Sequence, residues 1–328
     1  MRSLLVLTCC GLALALPASA AGAGGPISPQ QGGAGVTAPG GDVAYIALGA
    51  GHRTVIESVR RAGGAVDRFT SLAGSFGVPG VAVDGSATGL SADGRTLVLA
   101  GGVGRYPVLR THLVVLDAPH LRTRARIELP GWFNVDAISP TGRWLYLIHY
   151  PSARDTNRYE VRAYDVANRR LVAKPVIDPR EPDEAMQGFP IARATSADGR
   201  WAYTLYDRGG EAPFIHALDT ERRTAACIDL PGLTGADTSA MRLVVAPGGG
   251  TLRIVGPNGA LAVVDTRTFA VRPLAPARAQ APARSTPPPA DSNPPWALAA
   301  VALAALAALA AALWRVVRRR PAPAAHRR

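Results

Sequence analysis

His149 and Tyr150 end an apolar run, and Arg154 and Asp155 follow within five residues in "HYPSARDTNR". An imidazole near a carboxylate can serve as a general base or hold a metal ion. No second histidine stands at ligand spacing from His149, so the metal reading lacks its partner. A second charged stretch, "DPREPDEAMQGF" from Asp178, carries Arg180, Glu181, Asp183 and Glu184. A calcium loop needs carboxylates at alternating positions around a turning glycine, and that spacing is missing here. Asp207 and Arg208 in "DRGGEA", and Arg105 and Tyr106 in "GGVGRYPVLR", add two further polar segments. Ser91, Ser139 and Ser196 each stand three residues before a glycine, but no G-x-S-x-G elbow surrounds any of them. There is no phosphate loop, no CxxC pair and no haem motif, so the chain implies no catalytic set, no cofactor and no metal. What remains are binding groups: Arg105, Tyr106, His149, Tyr150, Arg154, Asp155, Arg180, Glu184, Asp207 and Arg208.

The elements that would carry these groups are written as a repeat. "LSADGRTLVLAGG", "ISPTGRWLYLIHY" and "TSADGRWAYTLYD" share one pattern, and "VAPGGGTLRIVGP" is a weaker copy. Ser91, Ser139, Ser196 and Ala246 stand 48, 57 and 50 residues apart. A second phrase recurs between them, with Asp117, Asp165, Asp219 and Asp265 spaced by 48, 54 and 46. Two phrases with matching periods mark a structural repeat of about 50 residues. Within each unit, alternating or continuous apolar runs of strand length are separated by Asp, Gly and Pro. The glycine supplies positive φ at a turn and the aspartate bonds its own backbone. Each unit therefore reads as four antiparallel strands. Such a sheet cannot bury both faces alone, so the units must stack around an axis.

The phrases resemble the YVTN-type and WD-like (TolB-like) β-propeller repeats, in which "SPDGR-LYV" is followed by "V-V-D". The resemblance spans about residues 41–274. It implies an all-β propeller, counted here as five four-stranded blades with six as the next option, and it says little about function. The first unit, "DVAYIALGAGHRTVIESVRRAGGAVDRFTSL", lacks a clear innermost strand. That strand is expected from residues 25–40 or from ring closure by the other terminus.

Both ends read as targeting segments. Residues 1–20 combine an early arginine, an apolar run and Ala18-Ser19-Ala20, which predicts a signal peptide cleaved before Ala21. Residues 21–40 read as a flexible lead-in, 41–274 as the propeller and 275–295 as a Pro/Ala-rich linker. Trp296 to Trp314 is nineteen residues without charge or proline, enough for a transmembrane helix bounded by interfacial tryptophans. Residues 315–328 carry six arginines and no acid, which places this basic tail in the cytoplasm. The expected location is the cell membrane, single-pass, with the propeller outside. Much of the formal net charge of +12 thus belongs to a topology signal, and nucleic-acid binding is not implied. Lys174 is the one lysine among 36 basic residues, a composition typical of a GC-rich, actinobacterial genome. The mature chain keeps only Cys227, so no intrachain disulfide can form and the fold depends on its core.

In a propeller the innermost strand runs away from the top face, so the "SADGR" turns lie on the bottom. The longer connections, which carry the ten polar residues above, fall on the top, where binding commonly sits. Trp144 and Trp201 occupy equivalent blade positions and read as packing between blades. The expected function is a membrane-tethered extracytoplasmic binding or scaffold module. Its partners are the bilayer, through the helix, and an unknown protein or cell-envelope ligand. The alternatives are a propeller enzyme of lactonase or quinoprotein type, which needs a charged ring or His/carboxylate cluster, and a sensor, for which the tail is short.

Overall fold

The computed structural model describes residues 26–102, 106–152, 154–183 and 186–274. The expected signal peptide, linker, transmembrane helix and tail lie outside them. Among the described residues no helix is long and apolar enough to cross a membrane.

Five four-stranded antiparallel sheets, each with its strands in chain order, fit a propeller. Blade 1 holds β1 (Val36–Thr37), β2 (Val43–Ala50), β3 (Arg53–Arg60) and β4 (Val66–Ala73). Blade 2 holds β5 (Phe76–Gly77), β6 (Thr96–Gly101), β7 (Arg110–Asp117) and β8 (Arg122–Pro130). Blade 3 holds β9 (Trp132–Ile138), β10 (Trp144–Tyr150), β11 (Arg158–Asp165) and β12 (Arg170–Val176), with β13 (Met186–Gln187) beside the start of β11. Blade 4 holds β14 (Phe189–Thr195), β15 (Trp201–Asp207), β16 (Phe214–Asp219) and β17 (Thr224–Asp229). Blade 5 holds β18 (Arg242–Val245), β19 (Thr251–Gly256), β20 (Gly259–Asp265) and β21 (Val271–Pro273).

The repeated phrase builds one turn five times. The first residue of the turn donates its N–H to the carbonyl five residues on: Ser91 to Thr96, Ser139 to Trp144, Ser196 to Trp201 and Ala246 to Thr251. Ala38 to Val43 is the fifth case, so the first blade has the turn that the sequence reading left out. Residues 26–40 are therefore not a flexible lead-in over their described part. β1 pairs with β2, and Gln30 bridges Val78 of blade 2. The missing innermost strand comes from the N-terminal side and not from the other terminus.

The second phrase closes the turn between the third and fourth strands. The carboxylates of Asp117, Asp165, Asp219 and Asp265 accept the N–H of the residue three positions on. The residue after that takes positive φ in all four blades: Leu121, Arg169, Arg223 and Phe269. Hydrogen bonds from His120 and Arg124 hold the Asp117 carboxyl down at about 2.

Burial falls from the axis outwards. The strand β6 is buried almost throughout, whereas β8 is mostly exposed. Leu97, Leu145 and Leu252, each second in its strand, are fully buried, worth about 2 kcal/mol apiece. Four buried apolar clusters join blades 1 and 2, 2 and 3, 3 and 4, and 4 and 5. Among the described residues no fifth cluster and no hydrogen bond joins blade 5 to blade 1. On the facing side of blade 5, Val244 is 38 % exposed and Arg253 is exposed.

Candidate functional site

The axis is occupied by the chain itself. Between β5 and β6 the innermost strand of blade 2 makes an excursion, residues 78–89, that reaches blade 4. There the N–H groups of Val83 and Asp84 donate to the carbonyls of Pro190 and Ile191 on β14, each at 3.0 Å. The N-terminal segment adds to this filling, with Asn134 donating to the Ile27 carbonyl at 2.8 Å. Below the crossing, Arg193 of β14 makes a buried ion pair with Asp136 of β9.

The bottom turns of the blades interlock. The Asp93 N–H donates to the Pro140 carbonyl at 3.0 Å, and Gly199 of blade 4 lies against Ala92 of blade 2. Between them a cavity of about 360 Å³ remains, lined by Leu90, Ser91, Ile138, Thr195, Ser196 and Thr220, and a larger one opens at the top. A cavity of about 510 Å³ lies over blade 4, roofed on one side by the excursion tip at Val83 and floored by Phe189 and Ile191. Asp207, Glu211 and Asp237 face it, with the amides of Asn157 and Gln187. Asp207, at the end of β15, accepts the Thr238 hydroxyl at 2.6 Å and the Gly209 N–H at 2.7 Å. Hydrogen bonds from Ser239 hold the Asp237 carboxyl below its usual range. The Arg208 guanidinium also lines the cavity, but it stacks at 4.3 Å over Phe214 and donates to Asp229.

A line of rings runs from blade 2 to Phe214 in blade 4. Tyr106 meets Trp132 edge-on at 5.6 Å, followed by Tyr150, Tyr159, Tyr206 and Phe214 at 5.2, 6.0, 5.8 and 5.2 Å. Burial, reinforced by the nearby Asp136 charge, pushes the Tyr150, Tyr159 and Tyr206 hydroxyls far above their ordinary value. A cavity of about 20 Å³, the room of one water molecule, lies among Asn134, Asp136 and these three tyrosines.

Of the ten residues expected to bind, Arg105 and Glu184 lie outside the described residues. Asp207 and Arg208 meet at the blade 4 cavity, and Tyr106 and Tyr150 join the ring line. His149 stacks on Phe133 at 4.4 Å with its Nδ1 3.6 Å from Glu160. Arg154 and Asp155 shape their own loop, where both N–H groups donate to the Ser152 hydroxyl. Arg180 does not join the others. It sits at the outer edge of blade 4, clamped to Asp178 and donating to the Cys227 carbonyl at 2.8 Å. Asp178, Glu181 and Cys227 lie close enough to hold a metal ion, but Asp178 is already engaged by Arg180 and the Cys227 N–H.

Sequence reasoning missed Asp136, Tyr159, Tyr206, Asp237 and the excursion. The excursion had a signal: seventeen residues separate Gly74 from Ser91, whereas eight separate Gly131 from Ser139.

His216, on β16, is fully buried in the interface with blade 3, and burial lowers its imidazole to about 4. The unfolded chain takes up this proton near 6.5, the folded chain only near 4. The unfolded state thus binds more protons between these values, and stability falls as pH drops through that window. Urea titrations from pH 7 to pH 4 should show this slope, and His216→Leu should flatten it.

No protein-family model matches the chain, and no curated protein matches it. Solved structures similar to it are β-propeller proteins among others. A functionally unknown protein from Desulfotomaculum acetoxidans has a TM-score of 0.46 at 13% identity, covering 73% of this chain and 68% of that one. The Cps50 (Swd1) β-propeller domain of Myceliophteria thermophila has 0.45 at 10% identity, covering 77% and 72%. TolB from Acinetobacter baumannii has 0.38 at 14% identity, covering 74% and 51%.

Proposed function

We propose that this chain is an extracytoplasmic propeller, tethered to the membrane by its C-terminal helix, that binds a partner at the cavity over blade 4. The observation that carries the binding reading is the cavity itself. It is formed by connections at the top of a rigid scaffold, it has an apolar floor, and a few polar groups converge on it. Asp207, Glu211 and Asp237 favour a ligand that donates hydrogen bonds or carries positive charge.

Glu211 and Asp237 are exposed, so Glu211→Arg with Asp237→Arg should leave the fold intact. Pull-downs with the full chain should lose their partners with this variant and keep them when Arg95 and Arg143 on the bottom are reversed. Loss with the bottom variant alone would reassign the face.

The tether rests on the sequence: a signal peptide, a Trp-bounded apolar run and an arginine cluster. Protease added to intact protoplasts should remove the propeller and spare a tag placed after Arg328. A protected propeller would overturn the topology.

A further inference from the structure

The turns between third and fourth strands all lie on the bottom face, and each carries arginine. Arg61, Arg122, Arg170, Arg222 and Arg267 come from the five blades in order, all exposed and none in an ion pair among the described residues. The aspartates of the same turns do not neutralise them. Asp165 and Asp219 are buried, and the aspartates of blades 2 to 5 are bound by the N–H groups of their own turns. Of the exposed acids on this side, Asp93 and Asp198 accept from Ser91 and Ser196, Glu221 stands 3.8 Å from Arg200, and Asp42 offsets charge in blade 1. A face that spends most of its acids on local contacts and leaves five arginines outermost presents a ring of net positive charge.

The cavity on the opposite side has the other sign, although the top connections as a whole carry both signs. Asp207, Glu211 and Asp237 line the top cavity, and the one arginine there is engaged by Asp229 and Phe214. A molecule with basic turns below and acidic groups above is oriented by a charged plane.

We propose that the bottom face docks on an anionic lipid bilayer, with the arginine ring against the headgroups and the top cavity turned away. Five charges spread over the blades suit a plane, whereas a bound linear polymer would call for a continuous stripe or groove. The docking also fits the expected tether. The strand β21 runs upward and the chain leaves at Leu274, bonded to Leu261, on the top side. Twenty-one linker residues reach up to about 60 Å when extended, more than the roughly 25 Å height of a blade. The tether can therefore pass around the rim to a bilayer below. Each arginine near an anionic surface strengthens docking, and salt weakens it within a Debye length.

The test uses the full chain in phosphatidylcholine nanodiscs and in discs containing about one third phosphatidylglycerol. Amide exchange of the five bottom turns should slow about tenfold in the anionic discs at low salt. The protection should vanish at high salt and in a chain carrying Arg122→Glu, Arg170→Glu, Arg222→Glu and Arg267→Glu, with melting unchanged. Equal exchange in the two discs, or protection confined to the top connections, would overturn the proposal. So would protection by soluble polyphosphate with none from anionic discs, which would reassign the ring to a polymer. The tether is read separately: a chain that co-elutes with neither disc lacks the anchor, and flotation of that chain with phosphatidylglycerol vesicles still reports on the ring.

Discussion

Alanine in place of Gly142 or Gly199 is expected to destabilise the protein by about 3 kcal/mol, roughly three times the effect of the same change at Gly248. All three hold positive φ, at 73°, 72° and 84°, which is strained for any residue with a Cβ. The difference lies in what surrounds them. A Cβ on Gly142 would overlap the hydroxyl of Thr96, itself buried in blade 2, and one on Gly199 would meet the Ala92 methyl at 2.5 Å. Around Gly248 there is nothing within 4 Å, so only the backbone term of about 1 kcal/mol applies. Urea unfolding of the three variants checks this. Equal losses at all three sites would show that the turns do not interlock and that conformation alone governs the glycine.

Removing either member of the Asp136–Arg193 pair should cost about 4 kcal/mol, because the survivor is left as a buried charge without its partner. The side chains are 4 % and 5 % exposed, and Asp136 is close enough to influence Tyr150, Tyr159, Tyr206 and His216. Replacing both, as Asp136→Leu with Arg193→Met, should recover most of the loss. The double-mutant cycle from urea midpoints measures it. Single variants no worse than the double would mean that the pair is solvated and that the strands beside the axis do not depend on it.

The blade repeat was legible because its turns need particular residues. Gly142 and Gly199 must have no Cβ, and Asp165 and Asp219 must reach backbone N–H groups three residues on. These requirements act within one hairpin, so they leave a periodic mark. The first blade escaped because Ala38-Pro39-Gly40-Gly41 lacks the Asp-Gly-Arg signature. Its match was nonetheless present in Ala246-Pro247-Gly248-Gly249, where the same hydrogen bond forms. The site was less legible. Asp136 and Arg193 are 57 residues apart, and Asp207 and Thr238 are 31 apart. Such pairs are made by blade-to-blade placement, which leaves no local pattern. Arg180 shows the converse: a charged residue in a long connection was drawn to the outer edge by Asp178, where it supports β17.

Among the described residues no strand is shared between blades 5 and 1, which changes how the molecule comes apart. Among the described residues four apolar clusters follow one another and none joins last to first, so the end blades are coupled on one side, while the excursion also ties blade 2 to blade 4. Blades 2, 3 and 4 each rest on two neighbours, whereas blades 1 and 5 rest on one. Fraying therefore begins at both ends and moves inward, and opening of an end blade exposes the next interface without dismantling the centre. Asp136, Arg193 and the floor of the top cavity belong to the central blades, the last to loosen. The part of the ring that holds the cavity is in this way insulated from the part that gives.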